Sequence, residues 1–347
     1  MMKGNIKKRT IIISGLLILV TFVLTVAVLF YGFGVRNAII SRTVNWLHFP
    51  VAIISGNVFV TAGELADNLS SVKKFYENQD FSDVGYRVDF TTADGQNRLK
   101  IKEKDLLNKL IENNIVEKLA ISRNIIISKA MVSQNVSRKI SQLSDNGEYV
   151  SKTMMNLYGW TLDDFEEKIV QPDMYREELE KNMRENDMDF IKAKNKITQA
   201  QSELKNGTDF VDVVKKYSEG DSSRNGGDLG WFTFDQMMPE IATTAFIVKK
   251  GERSDIVESS IGFHIVQVDD KKIEDGISKV RISQIIVRKK NFSDWLLEQE
   301  KNMRVIIPIK EYRWNKENAT VDFVNTDMQD FEKNLYTNSA GDISIIF

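Results

Sequence analysis

The side chains able to do chemistry in these 347 residues are few. There is no cysteine, and the only two histidines are His48 and His264. Disulfides, thiolate metal sites and a cysteine nucleophile are therefore excluded. One chain cannot assemble a multi-histidine metal site, and a Ser/His/Asp triad would have to use one of these two imidazoles. His48 lies in a connector beside Trp46 and Phe49 and reads as an interfacial or solvated residue. His264 stands in the run Phe263-His264-Ile265-Val266-Gln267-Val268, where its default role is that of a hydrogen-bonded interior histidine. Residues 218–230 read Ser-Glu-Gly-Asp-Ser-Ser-Arg-Asn-Gly-Gly-Asp-Leu-Gly. Gly226, Gly227 and Gly230 are expected at turns or close backbone contacts, and Asp228 reads as a turn cap. Met237 and Ile241, four apart, share a helix face, a spacing that suits a core as well as a pocket.

Further matches follow in order: Met237-Met238-Pro239-Glu240, Ala245-Phe246, Lys250-Gly251-Glu252, Ser254 and Ser260-Ile261-Gly262-Phe263-His264. Upstream lies Asn206-Gly207-Thr208-Asp209-Phe210. In this order and at this spacing, residues 196–268, roughly a fifth of the chain, closely resemble the parvulin family of peptidyl-prolyl cis/trans isomerases. The resemblance implies a parvulin-like antiparallel sheet with flanking helices. It also implies a proline pocket lined by Leu229, Met237 and Ile241, with Phe263 beside it, where Ile241 replaces the family's usual phenylalanine. Asp221 is the nearest match to the polar loop residue, Ser259 matches the hydroxyl five before the histidine, and His264 is one of the family's paired histidines. Gln284 would stand for the other, and glutamine can hydrogen-bond but cannot titrate.

Turning an X-Pro bond crosses a barrier of about 18–20 kcal/mol without breaking a covalent bond. Such a site needs an apolar grip on the proline ring and dipoles that favour the twisted amide. It requires no cofactor, metal or nucleophile, and none is expected.

The family's opening strand is missing from its usual place, because residues 175–206 are rich in Glu, Lys, Arg, Gln, Met and Ala and read as continuous helix. Beyond the turn Glu274-Asp275-Gly276, the alternating run 279–288 resembles that strand. A circularly permuted domain, with this run antiparallel to the His264 strand, is one expectation; a degenerate second domain starting near residue 280 is the other.

Residues 11–35 carry no charge and follow Lys3, Lys7, Lys8 and Arg9. The run is long enough to span a bilayer, and its flank places the N-terminus in the cytoplasm and residues 36–347 outside. Its length favours an uncleaved anchor over a cleaved signal peptide. The first 63 residues hold six basic side chains and no acid, so the remainder is acidic and a poor nucleic-acid binder. After a strand over 51–60 turning at Gly56-Asn57, Thr61 and Glu64 can cap a helix over 62–79. Helices follow over 105–124 and 128–143, with a turn at Asn146-Gly147. Thr161 and Asp164 open another, which kinks at Pro172. This order resembles the N-terminal module of SurA/PrsA-type foldases.

The expectation is an α+β chain with a basic tail (1–10), an anchor (11–35), a connector (36–50) and a mainly helical module (51–206). A parvulin-like domain (207–290) follows, then a C-terminal helix, strand and tail (291–347). Its partners would be the membrane and unfolded or nascent secreted polypeptides, with no nucleic acid. A non-catalytic peptide-binding chaperone and a purely structural envelope protein are the alternatives.

Overall fold

The structure is a computed structural model and describes residues 2–78, 89–143 and 147–338. Asn146 and the final Ile343–Phe347 run of the sequence lie outside them. The apolar N-terminal run forms α1 (Met2–Ala27), which continues through a π-helical turn, Val28–Gly32, and is followed by α2 (Ala38–Trp46), β1 (Pro50–Ile54) and β2 (Val58–Thr61). Helices α3 (Ala62–Asn78), α4 (Ala93–Ser122), α5 (Lys129–Leu143), α6 (Gly147–Tyr158), α7 (Leu162–Phe165), α8 (Gln171–Asn186), α9 (Met188–Lys205) and α10 (Phe210–Tyr217) come next. Then follow β3 (Asp228–Phe232), α11 (Pro239–Ile247), β4 (Val257–Glu258), β5 (Gly262–Glu274), β6 (Ile277–Arg288) and α12 (Phe292–Asn302). The chain closes with β7 (Val305–Ile306), β8 (Tyr312–Asn315), β9 (Thr320–Phe323) and α13 (Thr326–Asn338).

Two compact units result. One comprises Met1–Glu177 with Leu297–Phe347, the other Glu178–Leu296. In the first, β1 lies between β2 and β7. Thr61 and Glu64 form the expected reciprocal cap: the Glu64 N–H donates to Thr61 Oγ1 at 3.1 Å and the Thr61 N–H to the Glu64 carboxylate at 3.4 Å. Thr161 and Asp164 do the same at the start of α7. Pro172 is the second residue of α8, and the irregularity beside it is a π-helical turn, Glu166–Val170, immediately before that helix.

Two boundaries differ from expectation. Helix α4 begins at Ala93, where Thr92 Oγ1 accepts the Gly95 N–H at 3.0 Å and Arg98 pairs with Asp94 at 2.7 Å. These polar first turns lack the apolar periodicity by which a helix is read. The helix over 175–206 is broken at Asp187, whose carboxylate accepts the N–H groups of Asp189 and Phe190 and so starts α9.

Glu300 on α12 is buried, and burial pushes its pKa up to about 7 from 4.5, with the Arg176 guanidinium pulling the other way. The folded chain therefore holds this proton more tightly than the unfolded one. The stability it contributes is complete below about pH 4.5 and is lost as pH rises through about 7. A shift of this size corresponds to about 3 kcal/mol at most. Glu300→Gln should accordingly stabilise the protein by about 1–3 kcal/mol above neutral pH and flatten that slope. Thermal unfolding across a pH series measures this; an unchanged slope would contradict it.

The second unit is built on a four-stranded sheet of order β3-β6-β5-β4. The hairpin β5–β6 turns at Asp275 and Gly276, both with positive φ (52° and 78°), as a tight two-residue connection demands. Its ladder runs antiparallel through Phe263↔Val287, His264↔Ile286, Val266↔Gln284 and Val268↔Ile282. The displaced-strand reading required this pairing, and β6 lies inside the sheet with β3 on its other side. Alternation along β5 assigns the faces. Val266 and Val268 pack with Ile241, Ala245, Val280 and Ile282, while Phe263 turns the other way and meets Phe190 of α9 edge-on at 5.4 Å.

Candidate functional site

His264 is completely buried on β5 and is held at both ring nitrogens. Its Nε2 lies 2.8 Å from Ser259 Oγ and its Nδ1 3.1 Å from Gln284 Oε1. The glutamine oxygen can only accept, so Nδ1 carries the proton and Nε2 accepts from the Ser259 hydroxyl. That hydroxyl in turn accepts the Ile261 N–H at 3.2 Å. The result is a directed chain, Ile261 to Ser259 to His264 to Gln284. Burial lowers the His264 pKa, with Gln284 and then Glu240 opposing, so the imidazole is neutral at pH 7 and serves to orient its neighbours.

The chain ends at Gln284, which is only half-buried. Its amide nitrogen makes no hydrogen bond among the described residues, leaving a donor whose partner oxygen is fixed. Leu229, Met237, Met238 and Phe246 are partly buried against the cluster that contains Val266 and Ile282, on the same sheet face as Gln284. Ile241 is 4% exposed and belongs to the core beneath them.

The glycine-rich loop is fastened to β6 beside this chain. The Gln284 N–H donates to the Gly227 carbonyl at 3.0 Å, the Glu219 N–H to the Ile286 carbonyl at 2.7 Å, and the Ile286 N–H to Ser218 Oγ at 3.2 Å. Gly227 has φ 88°, and a Cβ there would stand 2.7 Å from the Gln284 carbonyl oxygen. Asp228 accepts the Gly230 N–H at 2.9 Å and pairs with Arg281 at 2.6 Å. It is a turn cap, held by Arg281 and Gly230 well below the usual carboxylate range.

The structure thus brings Ser259, His264 and Gln284 together and sets Leu229, Met237 and Ile241 on the same face. Two residues do not join them. Phe263 is turned away by strand alternation. Asp221 is exposed on a short 3-10 turn, Asp221–Asn225, while the loop position that approaches β6 is Gly220, whose added Cβ would lie 2.7 Å from Ile286 Cγ2. Sequence reasoning missed the clamp formed by Ser218 and Glu219. Its only signal was their place just before the glycine-rich loop.

The sequence family described as "Rotamase: PPIC-type PPIASE domain" matches residues 179–270. The second unit is a parvulin-type domain. Strand β6 lies beyond the matched residues and is an inner strand of the sheet, between β3 and β5. The foldase protein PrsA of Geobacillus kaustophilus is 30% identical over 142 residues, 41% of this chain and 47% of that protein. Foldase protein PrsA 1 of Bacillus cereus is 34% identical over 131 residues, 36% and 46% of the two chains. The chaperone SurA of Nitrosospira multiformis is 34% identical over 111 residues, 30% and 25%. The chain therefore spans about half the length of these PrsA relatives and a quarter of the SurA protein.

Proposed function

We propose that this chain is a membrane-anchored extracytoplasmic foldase whose parvulin-type domain catalyses cis/trans isomerisation of X-Pro bonds in unfolded or newly translocated polypeptides. The observation that carries the reading is the Ser259–His264–Gln284 chain, which ends in a donor that has no partner among the described residues and lies beside the partly buried side chains of Leu229 and Met237. As the amide twists out of plane, resonance is lost and the prolyl nitrogen recovers a lone pair. A fixed N–H donor and a dry apolar grip favour that geometry over either planar isomer. Asp221, exposed on its 3-10 turn, would meet residues flanking the proline from outside the pocket, and Phe263 would support the strand from behind.

For the anchor, the support is the 20-residue stretch Ile13–Gly32, helical, apolar and largely unburied. The basic residues before it orient the N-terminus to the cytoplasm and the rest of the chain outside. The helical module of the first unit would hold client segments.

A protease-coupled proline-peptide assay on the full chain in detergent should give a rate above the uncatalysed one. A second reading, a chaperone that grips chains without turning them, draws on the burial of Ile241 and on Gln284 being unable to titrate. An uncatalysed rate together with suppressed aggregation of an unfolded client would decide for it.

A further inference from the structure

Helix α2 follows the apolar span after five residues and packs against its end. The Tyr31 and Phe49 rings stack at 5.7 Å, Phe30 meets Phe49 at 6.3 Å, and Tyr31 donates to the Pro50 carbonyl at 2.8 Å. The helix has two faces. Ile40 and Val44 are buried against the rest of the first unit. The opposite stripe is Ile39, Arg42 and Trp46, at helical spacing, with Ile39 and Trp46 each 75% exposed. Phe33, in the link between span and helix, is 66% exposed. Two large apolar side chains on the outward face of a nine-residue helix lose stability in water, whereas an arginine between them suits a phosphate-bearing boundary. Arg42 forms no ion pair among the described residues.

We propose that α2 is an interfacial helix: its Ile39, Arg42 and Trp46 face lies in the headgroup region of the bilayer that α1 crosses, holding the first unit against the membrane surface. The occupant is lipid because the stripe begins where the span ends. The polar zone on each side of a bilayer's hydrocarbon core is about 5–7 Å deep, and the segment directly after α2 is fastened to the span's last turn by the contacts of Phe30 and Tyr31 with Phe49, so that α2 is held near the span's end at both of its own ends. Trp46 supplies the amphipathic ring favoured at that depth, and Arg42 meets lipid phosphate. The inference rests on the anchor reading of α1 and is independent of isomerase activity.

Because the chain has no cysteine, single labels are clean. Ile39→Cys and Trp46→Cys would each carry an environment-sensitive fluorophore in the full chain. The chain would be placed in nanodiscs of phosphatidylcholine and phosphatidylglycerol in equal parts, with Val20→Cys as the span control and Ile126→Cys, 70% exposed in the native chain, as the water control. Thermal unfolding matched to the parent verifies each variant. Labels at 39 and 46 should be quenched by headgroup-proximal nitroxide lipid and be several-fold less accessible to iodide than the label at 126. Iodide access at 39 and 46 equal to that at 126, with Val20→Cys quenched by lipid, would overturn the interfacial helix and leave the anchor standing. Iodide protection without lipid quenching would assign the stripe to a second copy of the chain and overturn the proposal as well. Iodide access at all four positions would remove the anchor and the proposal together.

Discussion

Gln284→Glu should keep the fold of the parvulin-type domain and lower kcat/KM for an X-Pro peptide by roughly 10- to 100-fold, the loss expected for one well-placed donor worth about 1.5–3 kcal/mol. The substitution separates the two functions of this side chain. A glutamate oxygen can still accept from His264 Nδ1, so the chain through Ser259 survives, but the N–H donor facing the apolar rim is gone. The new carboxylate also changes the titration of His264. In the parent, burial lowers that pKa, so the folded state binds fewer protons than the unfolded one; stability is complete above about pH 6.5 and is lost as pH falls through the folded value. A carboxylate beside Nδ1 raises the folded pKa toward or above the unfolded value, which shrinks the loss on acidification or reverses its sign. Gln284→His, which restores a ring donor, should retain most of the rate. Steady-state kinetics with unfolding curves at several pH values checks all three statements.

Gly227→Ala should destabilise the second unit by about 2–5 kcal/mol, combining the cost of a side chain at left-handed φ with loss of the bond between the Gly227 carbonyl and the Gln284 N–H. The added carbon would sit 2.7 Å from a backbone oxygen of β6 and 3.1 Å from Val214 Cγ2, so neither the loop nor the strand can yield cheaply. Gly230 provides the comparison. It too has positive φ, 84°, but nothing lies within 4 Å of an added Cβ, so Gly230→Ala should cost only the conformational penalty of about 1–2 kcal/mol. Differential scanning calorimetry on the two variants measures the gap. Equal losses would mean that close approach to β6 does not set the identity of residue 227.

What could be read in advance divides along physical lines. The Thr61 and Glu64 cap, the Asp275-Gly276 turn and the antiparallel pairing of 263–268 with 282–287 depend on residues near in sequence or on a two-residue period, and the amino-acid string displays both. The role of Asp228 as a cap was legible for the same reason. The resemblance sets Phe263 beside the pocket, yet it adjoins His264 on a strand, where neighbours face opposite ways, and its ring packs on Phe190. Asp221 is the nearest match to the family's polar loop residue, but the sequence carries no mark of Gly220 lying against Ile286. The Ser218 and Glu219 bonds to Ile286 and Arg288 join residues 68 and 69 apart, a separation that local patterning does not encode. The early start of α4 was hidden for a different reason, since its first turns are stabilised by polar caps and pairs instead of an apolar stripe.

The central claim is that an imidazole fixed at both nitrogens holds a glutamine donor where a prolyl amide twists. Two-dimensional exchange NMR on an Ala-Pro peptide, with catalytic amounts of the full chain in micelles, tests it most directly. The account predicts that exchange is faster with the parent chain than with buffer alone, and that the gain falls by at least an order of magnitude in Gln284→Glu while the melting temperature holds. Acceleration of equal size in parent and Gln284→Glu, or none in the parent, would contradict it.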